Sequence, residues 1–376
     1  MARTLVLVLF SVLSLIAGAA SHVYNIPAAV SNGSSTALFT SAATELDGPK
    51  IRPVNATAFD WWYFDVVSTD PNSLASVVVV FYTAAVGGFP FLPPSDLATV
   101  AQISVSFPNG TIFNVVVDAD GATVITDDNV SSGEWVQSGF SWNHTGSDYT
   151  VFVDVPNIGV QGTIRLNSTA PAHYPCGPVG AGQNMEVGPE IGWSNAIPDA
   201  MSSVELTVNG TSLSFTGAGY HDKNWSNQPF TSNVASWYWY WGHGRLGPYS
   251  LVWFDFLALD GTKYVSGYAA KDGTIIAASC ESGSLSVRPT GQNATYPPLL
   301  STGPPSGYHI TFDLEQAGTL EVDLNVTGII TAIIADTAPY MRFVGNVSGV
   351  ILPVGNSTPG TTMTGTALFE QFKLTN

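Results

Sequence analysis

The chain has 376 residues, with 11 Lys plus Arg against 28 Asp plus Glu and a formal net charge of −17. Such an acidic surface excludes nucleic acid as a partner, because neutralising phosphates needs a basic face. Charged residues make up 10% and apolar residues 45% of the chain, enough for a large core, and the length suggests two domains over one.

At the N-terminus, Arg3 precedes an apolar run from Leu5 to Ala17 and the small residues Gly18, Ala19 and Ala20. A basic flank, a short apolar core and a small-residue cleavage site make residues 1–20 a secretory signal peptide. The run falls short of the ~20 apolar residues that span a bilayer. The expectation is a secreted or secretory-lumen protein with no membrane anchor once the signal is cleaved. Asn-x-Ser/Thr glycosylation signals agree, at Asn32, Asn55, Asn109, Asn129, Asn143, Asn167, Asn209, Asn293, Asn325, Asn346 and Asn356. A further one at Asn224 lies inside an unusual polar motif and is expected to stay bare. Cys176 and Cys280 are the only cysteines; in an oxidising lumen they suggest one disulfide, with two buried thiols as the alternative.

From there the pattern is β throughout. SVVVVFYTAA, QISVSF, TIFNVVVDA, YTVFVDV, SVELTV, SLSFTG, SLVWFDFLAL, KYVSGYAA, HITFDL and LEVDLNVTG are short, rich in β-branched and aromatic residues, and often alternating. Asn109-Gly110, Asp120-Gly121, Asn209-Gly210, Asp260-Gly261 and Asp272-Gly273 punctuate them. These dipeptides accept the positive φ of tight hairpins, so neighbouring strands should run antiparallel. Pro171 to Pro198 and Pro289 to Gly307 read as long loops. No amphipathic helix exceeds two turns. The fold class is all-β, with two tandem antiparallel barrels or sandwiches over 21–230 and 231–376, the boundary falling near Asn227 to Asn233.

Familiar catalytic signatures are missing: there is no Gly-x-Ser-x-Gly, no His-Glu-x-x-His and no phosphate-cradling glycine loop. No metal is expected, since His221, His243, Asp222 and Asp255 show no recognised ligand spacing. Three aromatic segments remain: FDWWYFDVVS at 59–68, GYHDKNW at 219–225, and SWYWYWGHGRLGPYSLVWFDF at 236–256. On strands, Trp61, Tyr63 and Asp65 share one face and Asp60, Trp62 and Phe64 the other. Likewise Trp237, Trp239, Trp241 and His243 oppose Tyr238 and Tyr240, and Trp253 sits with Asp255. Any single ring is ordinary core, but charges do not enter such surroundings without partners. Either Asp222 pairs with Lys223 or Arg245 in a structural network, or a deep apolar cavity carries a few convergent polar groups.

DWWYFD, GYHDKNW and WGHGRLGPYSLVWFDFLALDG, in this order from Asp60 to Gly261, resemble the lipocalin-like superfamily of carotenoid 1,2-hydratases and fungal Diels–Alderases. The resemblance implies two lipocalin-like β domains with a ligand cavity at their junction and no cofactor. The hydratase motif His-Asp-His-x-Trp and its later Tyr-x-Asp place Trp225 and Asp255 here, but Lys223 replaces a histidine and Trp253 the tyrosine. A lysine ammonium is a poor proton donor near neutral pH, so hydration gives way to another task, donating a hydrogen bond to a carbonyl or tropolone oxygen. The chain looks most like the secreted hetero-Diels–Alderases that join a tropolone-derived ortho-quinone methide to a humulene-type sesquiterpene. In that reading Trp61, Tyr63, Trp225, Trp239, Trp241, Trp253 and Arg245 bind small apolar polyketide and terpene substrates. Lys223 polarises the heterodiene oxygen with Tyr240 or His243 as alternates, and Asp222 or Asp255 assists dehydration. The competing readings are another Diels–Alderase, a terpenoid hydratase or isomerase, and a carrier of apolar ligands without chemistry.

Overall fold

The computed structural model describes residues 21–42, 46–127, 130–233, 236–333, 340–355 and 360–373. The expected signal segment, residues 1–20, and the glycosylation signals at Asn129 and Asn356 lie outside them. Two antiparallel sheets, one of 15 strands and one of nine, account for nearly all of the regular structure. Among the described residues the α-helical content is a single turn, Phe230–Asn233.

The first sheet runs from an edge strand His22–Pro27 through the hairpins of residues 121–168 to two long central strands, Ile191–Val208 and Thr211–Ser226. It continues through Phe59–Ser68, Ser76–Ala84 and Thr99–Ser106 to an outer strand, Ile112–Asp118. The second sheet has Ser236–Leu246 near its middle, flanked by Tyr249–Ala258 on one side and Met363–Phe372 and Tyr340–Leu352 on the other. The chain passes from one sheet to the other between Ser226 and Ser236, through the helical turn.

Each sheet curls around its own apolar filling, as a lipocalin-like half-barrel does. Trp62, Phe64, Phe81, Trp135 and Trp142 pack inside the first; Tyr238, Tyr240, Trp253, Tyr308 and Phe343 pack inside the second. A third apolar layer lies between the sheets and contains Phe59, Trp61, Tyr63, Trp239, Trp241 and Phe254. Strand Phe59–Ser68 is buried along its entire length because its two faces serve two different cores, as the period of two requires.

Polar ties stitch the sheets together. His243 Nε2 meets both Asp65 carboxylate oxygens at 2.9 and 3.0 Å. Arg245 grips Asp199 through Nε and Nη2 at 2.9 and 2.6 Å, and Ser250 adds a hydroxyl bond of 2.8 Å to the same carboxylate. Cys176 and Cys280 are bonded, fastening the His173–Pro178 segment to the end of strand Thr274–Ser279 in the other sheet. The side chains of Asn32, Asn109, Asn143, Asn167, Asn209, Asn293 and Asn325 are exposed, and those of Asn55 and Asn346 half-buried.

Two local expectations need correction. The segment read as a loop from Pro171 to Pro198 is strand from Ile191 onward. Its register shifts between Asn195 and Ile197 and again between Ile197 and Ala200, and this irregularity accommodates Pro198, which lacks a ladder donor. Strand Ser236–Leu246 also has a register shift between Ser236 and Tyr238. Trp237 therefore leaves the alternation and packs against the second sheet's own core instead of joining Trp239 and Trp241.

A recurring device seats the indoles. Trp142 faces Gly133, Trp225 faces Gly192 and Trp253 faces Gly242 across neighbouring strands. In each pair a Cβ on the glycine would overlap the indole, so the ring folds flat over the bare backbone opposite it. At Gly242 the added methyl would also strike the Phe369 side chain. Gly242→Ala is therefore expected to destabilise the protein by about 1–3 kcal/mol, the usual cost of overpacking a filled core, measured as a lower midpoint in urea unfolding followed by tryptophan fluorescence.

Candidate active site between the two sheets

A cavity of about 600 Å³ opens within the layer between the sheets. Strand register explains its walls. On the first sheet Asp222 faces Tyr63, Tyr63 faces Val80 and Val80 faces Gln102, one row across four strands. The next row is Asn224, Trp61 and Tyr82. On the second sheet Trp241 faces Glu370, Glu370 faces Arg342 and Arg342 faces Thr331. Beside it run Trp239, Phe372 and Tyr340. All of these residues line the cavity, and Phe89, Phe91 and Phe230 close it from the connecting segments.

Asp222 is the acid of this chamber. It is 3% exposed, and its Oδ2 accepts hydrogen bonds from Trp193 Nε1 and Tyr220 Oη, both at 2.8 Å. Asn224 Nδ2 donates to its other oxygen at 3.2 Å. All three donors are neutral. Burial pushes the carboxyl up to about 7, and the negative charges of Glu370 and Asp65 add to the shift, while the Trp193 and Tyr220 bonds oppose it. The group can therefore hold a proton near neutral pH and release it to a bound molecule. Across the cavity, Glu370 Oε1 accepts from Arg342 Nε and from Tyr340 Oη, each at 2.7 Å. Tyr63 Oη is buried without a hydrogen-bond partner among the described residues, while the Trp241 indole lies against the Tyr220 ring at 5.2 Å and within reach of its hydroxyl. Burial holds the Tyr63 phenol well above its ordinary value, so it remains a donor.

Of the residues singled out in the sequence, Asp222, Trp61, Tyr63, Trp239 and Trp241 meet here. The others do not: the pleat turns most of them away, and ion pairs hold His243 and Arg245. Lys223 follows Asp222 and points to the opposite face of the sheet. There its Nζ lies 2.6 Å from Asp60 and 3.1 Å from the centre of the Trp62 ring. Burial pushes the ammonium down to about 8, with the Asp60 charge pulling the other way. Lys223 is a structural cation, not the donor facing a ligand. Trp225 points the same way as Lys223 and gives its Nε1 to Leu38 O at 2.9 Å in a satellite core.

Asp255, Trp253 and Tyr240 turn into the second sheet's own interior. Asp255 accepts from Tyr238 Oη at 3.0 Å and Val287 N at 2.9 Å, and its charge is answered by Lys263 at 3.1 Å. Tyr240 stacks on Tyr238 at 4.3 Å. His243 faces the interlayer but is taken by Asp65, its ring stacked on Tyr220 at 4.6 Å; Arg245 is taken by Asp199. His221 and His243 do not converge, for His221 binds Asp47 at 3.0 Å inside the first sheet. The Asn224 side chain is buried, and its amide is spent on Asp222.

The sequence reading missed Arg342, Glu370, Tyr340 and Gln102. The signal for the first two was present: each is a lone charge in an otherwise apolar strand, YMRFV and ALFEQF, and such a charge requires a partner.

The pairing of Lys223 carries its own test. Lys223→Met strands the Asp60 carboxylate in the core and is expected to cost about 3–5 kcal/mol, whereas Lys223→Met with Asp60→Asn recovers most of it, read from urea unfolding midpoints. A double variant as unstable as the single one would contradict the pairing.

Comparison with known proteins fits this geometry. Residues 22–326 match the family model described as Diels-Alderase-like. The quinolone epoxide rearrangement protein asqO of Emericella nidulans is 42% identical over 290 residues, covering 76% of this chain and 78% of that protein. The protein of the same description, penF of Penicillium thymicola, is 37% identical over 364 residues, covering 94% and 96%. The Diels-Alderase ucsH of Acremonium sp is 28% identical over 250 residues, covering 62% and 59%. In fold, the crystal structure of CghA with Sch210972 superposes with a TM-score of 0.72 at 18% identity, covering 94% of this chain and 98% of that one. With the family model spanning most of its length, and relatives at 42% and 37% identity, the chain belongs to the Diels-Alderase-like family.

Proposed function

We propose that the cavity promotes the acid-catalysed rearrangement of an epoxide carried on a flat aromatic substrate of the quinolone class, the class for which asqO and penF are named. The observation that carries this reading is Asp222: a buried carboxyl with neutral hydrogen-bond partners only, set in a ring-lined chamber. An epoxide is inert to a weak acid in water but opens when a proton is delivered to its oxygen in a dry site.

The step balances without a co-reactant. The Asp222 proton moves to the epoxide oxygen as the bond from that oxygen to the more substituted carbon breaks. Positive charge develops on carbon between the faces of Trp61, Tyr63, Trp239 and Trp241, which favour a cation by their ring quadrupoles. A neighbouring bond migrates, or an internal alkene or oxygen attacks, and a proton lost from the product returns to the Asp222 carboxylate. The result is an isomer of the substrate and a restored acid. Trp193 and Tyr220 take part by holding the carboxyl in place and stabilising its anion between the two transfers.

Cycloaddition is the second reading, favoured by the relatives named Diels-Alderases and by walls that can hold two apolar reactants face to face. Such orientation is worth up to about 7–11 kcal/mol. In its finer form, a tropolone-derived quinone methide reacts with a humulene-type sesquiterpene; the polarising donors would then be Arg342, Tyr63 and Trp241 in place of Lys223, with Asp222 protonating the departing hydroxyl. Residence in a secretory lumen is supported by the Cys176–Cys280 bond and the exposed sequons.

Asp222→Asn keeps an acceptor oxygen for Trp193 and Tyr220 but cannot donate a carboxyl proton. With an epoxide-bearing 2-quinolone it is expected to lower kcat by about 10²–10⁴-fold while circular dichroism stays unchanged. Because the acid must be protonated to act, the wild-type rate should be level below pH 6 and fall as pH rises through about 7. A variant within about threefold of wild type, or a rate that climbs through pH 7, would remove Asp222 from this role.

A further inference from the structure

We infer that Arg342 and Tyr63 form a recognition site for a neutral conjugated carbonyl, so that the cavity selects a lactam or vinylogous-acid ring and rejects a carboxylate of the same size. The inference rests on the substrate class proposed above and concerns the opposite end of that substrate from the epoxide.

The cavity contains more donors than its own acceptors use. Tyr63 is 6% exposed, yet its phenol oxygen has no hydrogen-bond partner among the described residues. A buried donor left unpaired is rare in folded proteins, and one at a cavity wall can be satisfied by an acceptor on a bound molecule. Arg342 is 8% exposed and lines the same space, its guanidinium carbon 5.5 Å from the Tyr63 ring centre and 5.7 Å from that of Tyr340. Its Nε is committed to Glu370, which fixes the plane of the guanidinium. Tyr340 donates to the same Glu370 oxygen at 2.7 Å. Glu370 and Tyr340 are thus positioning residues, and Arg342 and Tyr63 the groups that touch the ligand. Tyr63 lies directly across from Asp222 on the neighbouring strand, so the two side chains rise from the sheet about 5 Å apart. A substrate oxygen held by Tyr63 therefore places a reactive group on the same molecule within reach of Asp222.

Charge decides which oxygen fits. Arg342 already has its counter-ion in Glu370 at 2.7 Å, and no second cation lines the cavity among the described residues. A ligand carboxylate would bring an uncompensated negative charge beside the Glu370 carboxylate in a buried space, which is strongly disfavoured. A carbonyl conjugated with nitrogen or an enol carries only partial negative charge. It offers two lone pairs to two donors, and its ring stacks between Trp61 and Trp239.

Isothermal titration calorimetry with unreactive 2-quinolone and with quinoline-2-carboxylate tests this without any turnover. Wild type is expected to bind 2-quinolone, and the carboxylate at least about tenfold more weakly. Tyr63→Phe removes only an unpaired hydroxyl, so the fold is preserved, and should weaken 2-quinolone by about three- to tenfold. Arg342→Met with Glu370→Gln removes both buried charges together and should weaken it by about tenfold or more. Absence of 2-quinolone binding, equal or tighter binding of the carboxylate, or wild-type affinity in both the Tyr63 and Arg342–Glu370 variants overturns the inference. Should those variants bind as wild type while Asp222→Asn still loses turnover, the acid mechanism stands and the carbonyl site falls; an active Asp222→Asn beside weakened Arg342–Glu370 binding gives the converse.

Discussion

The strand stretches that carry Trp61 and Tyr63, Asp222 and Asn224, and Trp239 and Trp241 are buried on both faces, and the pleat of a strand sends successive side chains to opposite sides. That constraint governs the molecule. Along Thr211–Ser226 it gives His221, Lys223 and Trp225 to the first sheet's own side, and Tyr220, Asp222 and Asn224 to the interlayer. Along Phe59–Ser68 it gives Trp62 and Phe64 to the half-barrel filling, and Trp61 and Tyr63 to the cavity. Adjacent residues of one motif thus perform unrelated tasks. Neither task can be altered by a shift of register, since a slip of one position would exchange a core for a chamber.

Within that frame, electrostatics separate structure from chemistry. Asp60, Asp65 and Asp199 are each buried, and each is answered by a basic side chain: Lys223, His243 and Arg245. These pairs join strands and sheets, and an unanswered charge in the same places would be costly. Asp222 is buried among them with neutral donors alone. The absence of a cation at hydrogen-bond range leaves desolvation as the dominant influence on its proton, which is what turns a carboxylate into an acid at neutral pH. Four similar carboxyl groups therefore have different chemistry because of their neighbours.

A ring-lined chamber with the Asp222 carboxyl and several fixed donors suits more than one kind of pericyclic or cationic reaction. Water exclusion protects a reactive intermediate, aromatic walls hold extended apolar molecules, and fixed donors favour whichever oxygen gains negative charge. Relatives that bear the names of both rearrangement proteins and Diels-Alderases are understandable on this ground: the scaffold supplies confinement, and a few polar residues decide which bond changes.

The all-β fold, the antiparallel pairing and the family resemblance were legible in the sequence, because alternation, hairpin dipeptides and the ordered aromatic motifs are local properties. Asp222 and the rings at 61, 63, 239 and 241 were also within reach of a reading by strand faces. The roles of Lys223, Asp255, Trp225 and Trp253 were not. Whether a buried strand face meets a core or a cavity depends on what packs above it, and a glycine on the neighbouring strand can fold an indole flat. Arg342 and Glu370, more than a hundred residues beyond Asp222 in the chain, reach the cavity only because the second sheet is laid against the first with their row opposite that of Tyr63. Local sequence determined which residues could alternate on strands; only the tertiary structure decided which side of each strand encloses empty space, because that is fixed by contacts between sheets and not by the chain's own period.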